Sequence, residues 1–208
     1  IICSNIGIDY KNLAMSYQIH GDTIKVVDEH NKKIDISTMT DEKGFDALVT
    51  NKPGIPLITF YADCVPIYIL DPINKAIGLV HSGWKSTILH IGVKTLRKMK
   101  DLYGTNPKEC LAAIGPSIEK DCFEVGEGVA GAFKHVFTDC SNILFSKGNG
   151  KYNIDLWSCN IEMLINEGVK PRNITVSELC TKCNEELFFS YRRDIGNTGS
   201  LSAIMELI

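Results

Sequence analysis

Cys64 and His81 are the residues from which a chemical reading of this chain starts. They lie at the outer ends of two apolar runs, 65–70 and 75–81, separated by Asp71-Pro72-Ile73-Asn74, a composition that turns the chain. With those four residues as the loop of an antiparallel hairpin, Leu70 faces Lys75 and Cys64 faces His81 on one side of the ladder. Directly opposed residues hold their Cβ atoms about 4.5–5.5 Å apart. One metal ion bridges such a gap, with a thiolate at about 2.3 Å and an imidazole at about 2.0 Å. The same gap suits a Cys–His pair acting as nucleophile and base. Either reading depends on register, because a loop one residue longer or shorter breaks the alignment. Asp63, beside Cys64, points away from it in a regular strand and joins its chemistry only if the chain bends there.

After His81 comes Ser82-Gly83-Trp84-Lys85-Ser86-Thr87, leading into a helical pattern. Free backbone N–H groups at a helix N-terminus, the hydroxyls of Ser86 and Thr87 and the Lys85 cation together predict an anion site beside the metal. The plainer reading makes Ser86 a helix cap. Arg192-Arg193-Asp194 is either an ion-pair turn or a guanidinium aimed at phosphate, and the sequence does not choose between Arg192 and Arg193. Trp84 and Tyr191 are placed to stack on a flat ring or to pack in the core. Cys180-Thr181-Lys182-Cys183 is a CxxC, but no second CxxC or His pair completes a structural zinc site. The pair stays open to a redox or a metal reading. Cys3, Cys110, Cys122, Cys140 and Cys159 are read as small hydrophobes.

The elements that must position these groups follow from the periodicity. Strands are expected at 23–27, 46–50, 56–60, 65–70 and 75–81. From Ser86 the period lengthens, with Leu89, Val93, Leu96 and Leu102 on one helical face that stops at Gly104. A strand at 110–114, helices at 125–137 and 155–167, and strands at 173–177, 187–190 and 201–207 complete the set. In the last helix Leu156, Cys159, Met163 and Leu164 share a stripe, and Gly168 ends it. Adjacent strands outnumber helices, so the expected class is α+β (mixed α/β), with antiparallel hairpins in mixed sheets flanked by helices. No repeat or linker divides the chain, and residues 1–208 are read as one domain.

Composition narrows the partners. The chain has 208 residues, 44% hydrophobic and 23% charged, which is globular rather than disordered. Twenty-two Lys and Arg against 25 Asp and Glu leave a net charge of −3, with no basic field for nucleic acid. No apolar run approaches the roughly 20 residues that span a bilayer. Eight cysteines diluted in this length, with nothing resembling a signal peptide, point to reduced thiols and a cytoplasmic setting. The chain begins Ile1-Ile2-Cys3 without a methionine, so an upstream segment is expected. Nothing in the pattern specifies an oligomeric state.

Six motifs, in order, resemble those of the YfiH-like or laccase-domain family. They are Gln18-Ile19-His20-Gly21, Ala62-Asp63-Cys64-Val65-Pro66-Ile67 and His81-Ser82-Gly83-Trp84, then Ala113-Ile114-Gly115-Pro116-Ser117-Ile118, Cys122-Phe123-Glu124-Val125-Gly126 and Phe188-Phe189-Ser190-Tyr191-Arg192-Arg193-Asp194. The resemblance covers the chain from about Gln18 to its end and implies a YfiH-like sandwich of mixed sheets flanked by helices. It also implies a metal held by His20, Cys64 and His81, zinc foremost and copper as the alternative. The implied activity is purine nucleoside phosphorolysis of adenosine, inosine, guanosine and methylthioadenosine, with adenosine deamination, so the expected partners are purine nucleosides and phosphate. Asp63 or Glu124 would carry the proton in deamination, and the family's own Cys-Thr dipeptide makes Cys180 a packed thiol near the pocket, with Cys183 incidental. Some members are linked to peptidoglycan-precursor editing, and the family once bore a polyphenol-oxidase label. This chain departs from the family at Tyr61, at Lys85 and Ser86 where Arg and Gly are common, and at Ser200 where Arg is usual; an N-terminal segment containing Arg and Gly is absent. A His₂Cys set with an open position is the pattern of catalytic zinc. A laccase needs a trinuclear cluster with many further histidines, and five in total do not supply it. Two other classes stand beside the phosphorylase: a metal-free hydrolase or deamidase with Cys64 as nucleophile and His81 as base, and a non-catalytic ligand sensor.

Overall fold

A computed structural model describes residues 2–33, 40 and 43–208. In chain order the first half holds α1 (Ile2–Asn5), β1 (Ala14–Met15), β2 (Ile24–Val26), β3 (Ala47–Thr50), β4 (Leu57–Tyr61), β5 (Val65–Asp71), β6 (Ala76–Ser82), α2 (Trp84–Ile88) and α3 (Ile91–Tyr103). The second half holds β7 (Leu111–Ile114), β8 (Glu124–Gly126), α4 (Glu127–Val136), β9 (Leu144–Gly148), β10 (Lys151–Ile154), α5 (Leu156–Asn166), β11 (Ile174–Val176) and β12 (Leu201–Met205).

The central sheet is buried on both faces, and strand alternation assigns each side chain to one of two cores. Its order is β11-β7-β5-β6-β3-β2, parallel at the two outer pairs and antiparallel between. Ala47, Val49, Ile67, Ile69, Ala76 and Val80 face the helices and pack with Ile91, Leu96, Met99 and Leu164. Leu48, Ile77 and Leu79 face the other way, onto Leu57, Tyr61 and Ala203 of a three-stranded sheet ordered β1-β4-β12. A second small sheet, β8-β10-β9, borders the helical side. Gly78 lets α3 lie close on β6: a Cβ there would stand 3.0 Å from Met99 Sδ and 3.0 Å from Thr95 Cγ2. The mixed α+β class expected from the pattern is the one found.

Three local expectations are corrected, and one element appears that the pattern had not announced. The helix expected from Ser86 is two helices, broken where His90 takes a left-handed φ of 60°. Its buried stripe runs through Ile91, Val93, Leu96 and Met99, while Leu89 and Leu102 are exposed. The strand expected at 187–190 is a series of turns closed on Asn184, whose carbonyl accepts from the N–H groups of Leu187 and Phe188. The β9–β10 hairpin was not expected, although Gly148-Asn149-Gly150, all at positive φ, is a strong hairpin signal. Finally, in the β5–β6 ladder Asp71 pairs with Ala76 and Pro66 with His81, so Cys64 stands opposite Gly83 rather than His81. The turn slides because Asp71 Oδ1 accepts from the N–H groups of Ile73 and Asn74 and Lys75 takes φ 51°, which carries the loop one residue further. This shift moves Cys64 to the diagonal of His81 and keeps both side chains on the face toward β4.

Candidate metal centre and its pocket

Three separate segments deliver the donors. His81 is in β6, Cys64 precedes β5, and His20 sits in the connection between β1 and β2 with φ 59°. One donor atom from each lies within 4.8 Å of the others. The His20 and His81 rings meet edge to face with centroids 4.9 Å apart. Gly83 makes room for the trio, since a Cβ there would stand 2.9 Å from Cys64 Sγ and 2.9 Å from His20 Cδ2.

Asp46, fully buried immediately before β3, organises the centre and was missed in the sequence reading. Its Oδ1 accepts from His81 Nδ1 at 2.7 Å and from the His20 N–H at 2.9 Å. Its Oδ2 accepts from the N–H groups of Gly21 at 2.8 Å and Ile19 at 3.2 Å. One carboxylate thus fixes the His81 tautomer, leaving Nε2 free as a ligand, and holds the segment that carries His20. Gln18 clamps that segment to β4, exchanging hydrogen bonds of 2.7 Å with both the N–H and the carbonyl of Phe60.

Burial acts against charging Cys64, yet the charge of His81 and hydrogen bonds from His20 and His81 bring its thiol down to about 6. Burial likewise acts against charging His81, but Cys64 and Asp46 raise it to about 9. Both shifts favour a thiolate facing an imidazolium in the metal-free pair. The donor set itself fits a borderline ion: two imidazoles and a thiolate in a ring small enough to close on one centre, with a fourth direction open to the pocket.

That pocket has a volume of about 660 Å³ and walls that are largely apolar, among them Phe60, Trp84, Phe123, Val125 and Val129. Asp63 lines it because the chain does bend there, at φ 95°. Its oxygens already accept from Thr181 Oγ1 and the Arg192 N–H, each at 2.7 Å. Glu124 also lines the pocket, but its carboxylate is paired with Lys147 and Lys151. Both candidate proton carriers are therefore fixed groups. Arg192 lies on the wall with its guanidinium over the Phe123 ring at 5.2 Å and Nη1 donating to the Glu124 carbonyl at 2.7 Å. Tyr191 stands exposed at the rim, and Ser200 is on the lining.

The expected anion site at Lys85, Ser86 and Thr87 is not part of this pocket. Helix α2 begins at Trp84 with Gly83 as its cap, so Ser86 and Thr87 fall inside the first turn and are fully buried. Thr87 Oγ1 donates to the Gly83 carbonyl and contacts Ser82 Oγ, which in turn donates to Asn160 of α5. Lys85 is exposed, with Nζ 5.7 Å from the Trp84 ring centre. Arg193 is also a framework residue: it forks onto Asp194 and donates to the carbonyls of Thr181 and Phe188. Of the two arginines, Arg192 is the one on the pocket.

A second donor cluster lies apart from the first. Glu119, Cys122, Cys180 and Cys183 bring one ligand atom each within 4.8 Å of one another, a grouping that the reading of Cys122 as a packing residue and Cys183 as incidental does not include.

Comparison with known proteins agrees with the motifs. Residues 1–208 match the family model described as multi-copper polyphenol oxidoreductase laccase. The chain is 30% identical over 205 residues to purine nucleoside phosphorylase YlmD of Bacillus subtilis, covering 98% of this chain and 74% of that protein. It is 36% identical over 200 residues to adenosine deaminase RL5 of an unknown prokaryotic organism, covering 95% of this chain and 76% of that protein. Among solved structures, the YlmD of Geobacillus stearothermophilus superposes with a TM-score of 0.90 at 30% identity, over 99% of this chain and 77% of the other. The Bacillus licheniformis hypothetical protein YfiH superposes at 0.91 and 29% identity, over 100% of this chain and 78% of the other. With its six ordered motifs and its fold matched over the same span, the chain belongs to the multi-copper polyphenol oxidoreductase laccase family, the YfiH-like proteins.

Proposed function

We propose that the chain phosphorolyses purine nucleosides, adenosine and inosine foremost with guanosine and methylthioadenosine as further substrates, and deaminates adenosine in the same pocket. The observation that carries the reading is a His₂Cys donor set open on one side to a largely apolar cavity of about 660 Å³ that also holds a guanidinium. The ion assigned to His20, Cys64 and His81 is zinc. When bound, zinc supplies Lewis acidity, polarising a substrate oxygen and lowering the pKa of water toward about 7.

The chain's own residues do the rest. Asp46 holds His81 and the His20 segment in ligating orientation. Phe60, Phe123, Val125 and Val129 enclose the purine and exclude water. Arg192 spends one of its five N–H groups on the Glu124 carbonyl and presents the fork to phosphate. An oxygen of hydrogen phosphate attacks ribose C1′, the C1′–N9 bond breaks, and the base departs with the proton that the phosphate gives up, leaving ribose 1-phosphate. Asp63 serves as a positioning residue, fixing the Arg192 backbone and Thr181 from opposite sides. Eight free thiols suit a reducing, cytoplasmic compartment.

Copper-oxidase chemistry has little support, because His30, His90 and His135 join no donor cluster among the described residues. The Cys–His dyad has one specific feature in its favour, the opposite shifts by which Cys64 and His81 each favour the other's charged form without a metal. One experiment separates the two. The chain is incubated with adenosine or inosine, with and without phosphate, and the products are resolved by chromatography. Phosphate-dependent release of free base, and inosine from adenosine, support the proposal; neither product from the zinc-loaded protein refutes it. Hydrolytic activity that survives demetallation and stops on alkylation of Cys64 would instead support the dyad.

A further inference from the structure

The turn Lys120–Cys122 and the turn after Cys180 are brought together by a single parallel β-bridge that sequence spacing does not announce. Ser117 pairs with Cys180, and the N–H groups of Ser117 and Thr181 donate to the carbonyls of Leu179 and Ser117. The consequence is that Cys122 Sγ lies 3.3 Å from Cys183 Sγ. Glu119 Oε1 lies 3.5 Å from Cys183 Sγ and 3.8 Å from Cys122 Sγ. Cys180, buried, completes a set of four donors within 4.8 Å of one another. Tetrahedral zinc with sulfur at about 2.3 Å and oxygen at about 2.1 Å spaces its ligands about 3.6–3.8 Å apart, close to these separations.

The sequence spacing agrees. Zinc ribbons use C-x₂-C twice, and here the pairs are Glu119-x₂-Cys122 and Cys180-x₂-Cys183, a carboxylate standing in for the first thiolate. We propose that Glu119, Cys122, Cys180 and Cys183 form a second metal site, a closed four-ligand zinc clasp distinct from the His20–Cys64–His81 centre. Binding displaces three thiol protons: a dication, three thiols and one carboxylate give a tetrahedral complex and three released protons.

The clasp ties together two walls of the pocket. Cys122 adjoins Phe123 and Glu124, which line it, and Cys180 adjoins Thr181, which donates to Asp63. With all four positions filled by protein, the ion has a structural role.

The test uses the full chain, stripped with a chelator under reducing conditions and titrated with Co²⁺ as the spectroscopic probe. The parent chain is expected to bind two equivalents. The variant His20→Ala/His81→Ala is expected to keep one, with tetrahedral d–d bands and intense thiolate-to-cobalt charge transfer from three cysteines. The variant Cys122→Ser/Cys183→Ser is expected to keep only the other equivalent, and that retained binding reports that it has folded. Should the double cysteine variant not fold, Glu119→Gln decides: weakening of one equivalent by tenfold or more supports the clasp, and unchanged affinity overturns it. A single equivalent in the parent, no binding in the histidine variant, or a Cys122–Cys183 disulfide after thiol trapping in cells also overturns it. Because the histidine variant reads the clasp alone, its failure is distinguishable from failure of the pocket's proposed activity.

Discussion

Replacing Asp46 with Asn isolates the device that holds the proposed metal centre together. The carboxylate accepts four hydrogen bonds, two at each oxygen, from His81 Nδ1 and the N–H groups of Ile19, His20 and Gly21. In Asn one oxygen becomes NH₂, so whichever way the amide turns, two of the four donors face a donor. An unsatisfied buried group costs about 1–3 kcal/mol, and partial relaxation brings the pair to about 2–4 kcal/mol. For a chain of this length that lowers Tm by about 4–16 °C, at about 2–4 °C per kcal/mol. Both histidine ligands lose support, and loss of such outer partners weakens metal binding by about 10–100-fold. Competition of the stripped protein against a chromophoric chelator reads the affinity, and thermal unfolding with and without zinc reads the stability. The pH dependence gives a further check. Burial acts to raise the Asp46 pKa, but hydrogen bonds from His81 and Gly21 outweigh it and hold the carboxyl below its ordinary value. A depressed carboxylate stabilises the fold fully above its unfolded pKa of about 3.9 and loses that contribution as pH falls through the folded value. The deficit of Asp46→Asn is therefore full above about pH 4 and shrinks in stronger acid. An Asp46→Asn protein that binds zinc within twofold of the parent would refute the assignment.

Other substitutions separate the parts of the pocket. Gly83→Ala places a methyl group 2.9 Å from both Cys64 Sγ and His20 Cδ2; it is expected to cut metal affinity by at least about tenfold while the circular-dichroism spectrum stays unchanged. Arg192→Ala is expected to raise KM for phosphate by about 10–100-fold, the equivalent of one charge-assisted hydrogen bond, and to spare adenosine deamination. Equal losses in both reactions would instead make Arg192 a wall of the nucleoside site. Alkylation of the stripped, folded protein at pH 7, followed by peptide mass spectrometry, should mark Cys64 first. Its thiol is held down to about 6 and lines the pocket, whereas burial pushes Cys110 up to about 12 and raises the buried Cys159 as well. Zinc should protect Cys64, and labelling of Cys159 ahead of it would contradict the electrostatics of the centre.

What could be read before the fold was known depended on parity. The hairpin register was placed two positions away in the pair sum, yet a shift of that size keeps every side chain on its own face, so Cys64 and His81 still met. A slip of one would have turned them to opposite faces. Strands and the α5 stripe were legible because burial repeats with a local period, as Leu156, Cys159, Met163 and Leu164 do. The anion site failed because helix α2 starts two residues earlier than Ser86, and that displacement turns a capping hydroxyl into a buried one. Asp46 and the Glu119–Cys183 cluster were illegible for a different reason. A carboxylate before a strand has no periodic signature, and its partners lie 25 to 35 residues away. Cys122 and Cys183 are 61 residues apart and meet only because Ser117 pairs with Cys180. Such groups are assembled by sheet topology rather than by neighbouring sequence. Hairpin spacing brought Cys64 and His81 together and the family resemblance added His20 as the third donor proposed; the carboxylate that orients them and the four donors proposed to clasp the pocket walls emerged only when distant segments were placed side by side.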